Sequence, residues 1–187
     1  DPDLKFRLRR NLKEINEQYK TTLVYVTHDQ NEAMTFADNI IVMDQGEIVQ
    51  VGLPKDLFER PKTTFVGYFI GSPAMNIFES EIATDYAVKI NNIQIKTSSN
   101  LSKLKDKNVK LGIRSEFINI AEKEGENTVK AKLQRVEDFG NFKLLTAKMG
   151  NFIIKSKVER ELIIPNGDVN FYIPPEKCCV YSNEKLI

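Results

Sequence analysis

"TTLVYVTHDQNEA", residues 21–33, is the stretch that decides how this chain folds. Leu23, Val24, Tyr25 and Val26 make a short run that is apolar on both faces, the pattern of a strand buried in a parallel sheet covered by helices. The run breaks at His28, the one histidine in 187 residues. Asp29 followed by Glu32 resembles a capping box with Asp in place of Ser or Thr, which opens a helix through Ala37. His28 is therefore expected at the carboxyl end of a central strand, just before a helix amino terminus. In open α/β sheets that edge is where ligands bind.

Working outward, the segment before this stretch reads as a helix from Pro2 to about Tyr19. Asp1 can cap it, Pro2 suits the first helical position, and Leu4, Leu8, Leu12, Ile15 and Tyr19 share one face. Lys5, Arg7, Arg9, Arg10 and Lys13 fill much of the rest and read as a solvated face rather than a binding patch. After the stretch, Ile40–Met43 and Ile48–Val51 flank Asp44-Gln45-Gly46 and read as a hairpin. Pro54 starts a short helix through Glu59, and Thr63 can cap another over 64–70. From about Ser72 onward the pattern changes to short alternating strands, as in Ile77–Ile82, Val129–Leu133 and Asp168–Ile173. The expected organisation is thus an α/β fragment over 1–72 followed by an all-β, OB-like domain over 73–187.

Composition excludes several classes. Lys plus Arg (27) nearly cancels Asp plus Glu (26), so no global basic field favours nucleic acid. No apolar run approaches the ~20 residues of a membrane span and no signal peptide is evident, which predicts a cytosolic chain. Cys178 and Cys179 are adjacent, wrongly spaced for a metal site, and read as reduced thiols on opposite faces of a strand.

"TLVYVTHDQNEAMTFADNIIVMDQGEIVQVG" closely resembles the segment around the switch-loop histidine of ATP-binding cassette (ABC) transporter ATPases, where a strand ends in Thr-His-Asp and a helix begins Gln-x-Glu-Ala. Asp1-Pro2-Asp3-Leu4 resembles the end of the family's D-loop, with Asp1 as its aspartate. The continuation to Asn76 is similar to the tail of the nucleotide-binding domain in importers of the maltose and multiple-sugar type. "LGIRSEFI", 111–118, resembles the Gly-Ile-Arg-Pro-Glu-His signature of their OB-like (TOBE-type) regulatory domain, and "VEDFGN", 136–141, its Val-Glu-x-x-Gly segment. Arg114 and Glu116 keep that signature, whereas Ser115 and Phe117 replace its Pro and His. Leu53 stands where a Ser or Thr usually caps the following helix, and Gly67 replaces a commoner Ala.

The resemblance implies a parent in which two ATPase subunits close around ATP and Mg. His28 would contact the γ-phosphate and the attacking water, and Asp1 would couple the two sites. It further implies transmembrane permease subunits, a peripheral place on the inner face of the cell membrane, and room for a cytosolic regulatory protein. A P-loop needs two glycines five apart before Lys and Ser or Thr, and no two of the nine glycines have that spacing. Ile40–Asp44 mimics a Walker B strand, but Gln45 stands where a catalytic carboxylate belongs. The chain alone is therefore expected neither to bind nor to hydrolyse ATP, with residues 1–71 frayed or repacked against a second chain. A polyamine or inorganic-anion importer, or a free-standing regulatory module carrying an ABC-like remnant, are the alternative readings.

Overall fold

The computed structural model describes residues 2–187, so Asp1 lies outside the described residues. Helix α1 (Pro2–Tyr19) forms over the expected span and ends at Lys20, whose φ of 49° is left-handed. Its apolar face is not covered: Leu4, Leu8, Ile15 and Tyr19 are exposed. The expected strand at 23–26 is absent, and Val24 and Val26 are 80% and 90% exposed. A buried parallel strand needs neighbours to take up its N–H and C=O groups, and no strand among the described residues pairs with this run.

Helix α2 (Gln30–Phe36) follows, capped by Asp29. Strands β1 (Ile40–Asp44) and β2 (Glu47–Gly52) then pair antiparallel from Ile40↔Gly52 to Asp44↔Glu47. Gln45 (φ 49°) and Gly46 (φ 86°) are both left-handed, the type I′ turn that matches strand twist. Ile40 and Val42 point inward onto Leu57, Val66 and Ile70. Ile41, Met43 and Ile48 point outward and stay exposed. Helix α3 (Pro54–Glu59) has no side-chain cap at Leu53, while α4 (Thr64–Phe69) is capped by the Thr63 hydroxyl, which accepts from the Val66 N–H at 3.2 Å. Gly67 does more than lower helix propensity. A Cβ there would meet Met75 Sδ at 3.0 Å, so a larger residue would need that flexible side chain to give way by a few tenths of an ångström.

Gly71 and a cis Ser72–Pro73 peptide lead into the β domain. Its strands are β3 (Asn76–Thr84), β4 (Ala87–Ile90), β5 (Ile93–Lys96), β6 (Asn108–Ile113), β7 (Asn119–Ala121), β8 (Thr128–Asp138), β9 (Phe142–Met149), β10 (Phe152–Glu159), β11 (Asp168–Tyr172), β12 (Cys179–Ser182) and β13 (Lys185–Leu186). They form two antiparallel sheets, ordered β13-β12-β6-β3-β4-β5 and β10-β9-β8-β11-β7. The alternation read from the sequence fills one shared core, with Phe78, Val129, Ala131, Val169 and Phe171 facing inward beside Leu111, Leu145 and Ile154. Each large apolar side chain buried this way stabilises the fold by about 1.5–3 kcal/mol.

Two asparagines close the gaps between the sheets. The Asn76 amide donates to Lys155 O (2.9 Å) and Ile113 O (3.2 Å) and accepts from the Lys155 N–H (2.8 Å). It takes the place of a neighbouring strand along the free edge of β10. Asn127 does the same for β5, accepting from the Lys96 N–H (2.7 Å) and donating to Lys96 O and Ile173 O, both at 2.9 Å. A side-chain amide offers the same donor and acceptor as a peptide, so these edges are satisfied where backbone pairing stops. Cys178 joins the main core and Cys179 the separate cluster of Met75 and Tyr181, on opposite faces as expected. Burial pushes the Cys178 thiol up to about 12, which makes it unreactive.

Candidate functional site

The loop Thr27–His28–Asp29 is built by local hydrogen bonds. The Asp29 carboxylate accepts from the N–H groups of Asn31 (2.9 Å) and Glu32 (3.2 Å), and so holds two of the free donors at the start of α2. The reciprocal half of the expected capping box is made differently. The Thr27 hydroxyl, not Glu32, accepts from the Asp29 N–H at 3.0 Å, and the same hydroxyl donates to Glu32 Oε2 at 2.9 Å.

Glu32 is thereby freed to bind elsewhere. It is buried and receives Arg9 at 2.7 Å, Lys5 at 3.3 Å and the Tyr25 hydroxyl at 3.3 Å. The Thr27 hydrogen bond, with help from the two cations, holds its carboxyl below the usual value. This cluster fastens α2 to α1. His28 sits at the bend just before α2, exposed, and no described hydrogen bond or ion pair restrains its ring. The residues on either side of it are fixed while the imidazole is left free to face solvent.

The start of α2 is tied to the segment that leads into the β domain. Gln30, its first residue, accepts from the Gly71 N–H through Oε1 at 2.9 Å. One residue earlier in the chain, Ile70 O is gripped by Arg114, which is fully buried. Arg114 also donates from Nε to Phe58 O and from Nη1 to Gly67 O, both at 2.8 Å, and its guanidinium lies 4.6 Å from the Phe58 ring centre. These carbonyls belong to the carboxyl-terminal turns of α3 and α4, where four C=O groups lack helical partners and the helix dipole favours a cation. Burial lowers the Arg114 guanidinium from its ordinary value, with nearby groups including Glu116 acting the other way. Glu116 itself accepts from the Ser115 hydroxyl at 2.9 Å and faces Lys157 at 3.6 Å. Arg114 is thus a clamp across the two parts of the chain, a role that the signature residues alone did not reveal.

The carboxyl terminus closes the same seam. Glu184 O accepts from the Thr64 N–H at 3.1 Å, Lys62 O accepts from the Leu186 N–H at 2.9 Å, and the Tyr181 hydroxyl donates to Pro61 O at 3.1 Å. The Glu184 carboxylate receives the Lys110 ammonium and the Thr64 hydroxyl, which hold it below its ordinary 4.5. A carboxyl whose folded value is depressed stabilises fully above the unfolded value and loses that contribution as pH falls through the folded one. Exchange of the Thr64 and Leu186 amides is therefore expected to accelerate as pH drops below 4.5, beyond the intrinsic pH effect, and Glu184→Gln should abolish this extra acceleration. The same acid loosening in the Gln variant would contradict the assignment.

Among the described residues no cluster of His, Cys, Asp or Glu is arranged to hold a metal, and no helix is long and apolar enough to cross a membrane. Comparison with known proteins adds the family context. The MalK OB fold domain family matches residues 71–118. The oligosaccharides import ATP-binding protein MsmX of Bacillus subtilis is 35% identical over 178 residues, covering 90% of this chain and 48% of that protein. The sn-glycerol-3-phosphate import ATP-binding protein UgpC of Psychromonas ingrahamii is 37% identical over 169 residues, covering 88% and 43%. The trehalose/maltose import ATP-binding protein MalK of Thermococcus litoralis is 33% identical over 178 residues, covering 89% and 48%. The chain spans about half the length of these relatives.

Proposed function

We propose that this chain is the carboxyl-terminal part of an ATP-binding subunit of an ABC importer of the maltose and multiple-sugar type, a subunit that hydrolyses ATP to drive uptake of a sugar or oligosaccharide. The observation that carries the reading is the match to three import ATP-binding proteins along nearly all of the chain. The exposed apolar faces support it. Residues 23–26, the outward side of the β1–β2 hairpin and the apolar face of α1 have the composition of a sheet interior and the surroundings of a surface. They fit the remainder of a nucleotide-binding domain.

In that subunit ATP and Mg would be held by phosphate-binding motifs outside this chain. What this chain supplies is His28, set ahead of a capped helix on a fixed loop. Phosphoryl transfer depends mainly on positioning and charge stabilisation, and an imidazole that donates a hydrogen bond near neutral pH can orient the γ-phosphate and the attacking water. Asp1 would help couple the two ATP sites of a homodimer. Permease subunits would hold the dimer at the cytoplasmic face of the membrane, and the β domain would take dimer contacts or a cytosolic regulator. The native protein containing this chain, purified with its membrane subunits, is expected to hydrolyse Mg-ATP, while the 187-residue chain alone is not. No turnover in the native protein would end the reading.

A further inference from the structure

We infer that Gln30 and Arg114 are positioning residues that tie the helix following His28 to the β domain through the backbone of Ile70 and Gly71. The inference rests on His28 being the switch histidine for its functional meaning, though not for its geometry. Gln30 lies two residues beyond His28, and its side-chain oxygen takes the Gly71 N–H at 2.9 Å. The neighbouring carbonyl, Ile70 O, is held by Arg114 Nη1, which also holds Gly67 O at 2.8 Å. Consecutive groups of one short backbone segment are thus bound from α2 on one side and from the end of β6 on the other.

The segment has little freedom to absorb a displacement. Gly71 has a φ of 98°, and a Cβ there would meet Arg114 Nη1 at 3.0 Å and Phe58 at 3.2 Å, so the guanidinium packs directly on the linker. Arg114 is in turn fixed by Phe58 O at 2.8 Å and by the phenyl ring beneath it. Helix α2 is itself held to α1 by the Glu32 cluster. A shift of the β domain, whether from a bound ligand, a regulator or a second copy, therefore reaches α2 by way of Gln30 and changes where His28 stands. Coupling of this kind is reciprocal, so a change at Gln30 must also be felt at Arg114.

The test uses the 187-residue chain, in which the only histidine gives a single unambiguous imidazole signal by NMR. Arg114→Lys is expected to shift the His28 ring resonance, and in a Gln30→Ala background that shift should fall by about threefold or more, the non-additivity of coupled sites. Gln30→Ala should speed exchange of the Gly71 amide roughly fivefold by removing its acceptor, and Gln30→Glu, which keeps an oxygen in place, should restore protection. If Arg114→Lys does not fold, the reciprocal reading decides: Gln30→Ala must move the Arg114 Nε–H resonance. Additive His28 shifts, or an Arg114 signal blind to Gln30→Ala, would overturn the inference. These measurements need no nucleotide. A His28→Ala variant with normal ATP turnover would end the switch-histidine reading and leave the linkage standing, whereas additive shifts would do the reverse.

Discussion

Arg114→Met will lower the unfolding free energy of the chain by about 3–5 kcal/mol, the cost typical of removing one partner from a buried charged network. Methionine approximates the length of the side chain and keeps its packing against Phe58, but it cannot donate to Phe58 O, Gly67 O and Ile70 O. Three carbonyls at the ends of α3 and α4 then lose their partner together. The helical part should detach before the β domain melts, because the core around Leu111, Val129 and Phe171 does not include Arg114. Denaturant unfolding followed at the amides of both parts is expected to split into two transitions in the variant. A single transition within about 0.5 kcal/mol of the wild type, the scale of an ordinary surface substitution, would show that the clamp does not hold the parts together.

His28→Ala is expected to reduce ATP turnover by the native protein about 10²–10³-fold, the usual effect of deleting one hydrogen-bond donor at a site of developing charge. The fold should be indifferent to it. His28 is exposed and no described contact depends on its ring, so the stability of the chain should change by less than about 0.5 kcal/mol. That contrast separates it from Glu32→Ala, which removes the group joining Thr27, Tyr25, Arg9 and Lys5 and should displace the loop without touching the imidazole. Turnover that survives His28→Ala would remove this residue from the reaction.

The elements with a short-range signature were legible in the sequence. Asp29 and Thr63 mark helix starts because a side-chain oxygen capping an amide acts within three residues, and Gln45-Gly46 marks a turn because left-handed backbone favours few residue types. The alternating strands could be read because one face of each meets the core. The run at 23–26 has the same composition as a buried strand, yet composition cannot supply neighbours, and without them it stays open.

At the site, His28 stood out as the one histidine of the sequence, in a Thr-His-Asp motif, and Arg114 and Glu116 as parts of a recognisable signature. What Arg114 grips was hidden, because Phe58 and Ile70 are 56 and 44 residues away in the chain and offer only backbone oxygens, which every residue has. Gln30 was hidden for the same reason. Asn76 and Asn127 were hidden likewise, since the backbone groups of Lys155 and Lys96 that they bind lie 79 and 31 residues away.

The intact mass of the native polypeptide carrying this chain, with its terminal sequence, tests the central claim most directly. The account predicts about twice the mass of this chain, in keeping with relatives of which it covers 48%, and a Gly-x-x-x-x-Gly-Lys-Ser/Thr loop upstream of Asp1. A native polypeptide that begins at or near Asp1 would contradict it, leaving His28 without a nucleotide to meet and the β domain as the place to look for function.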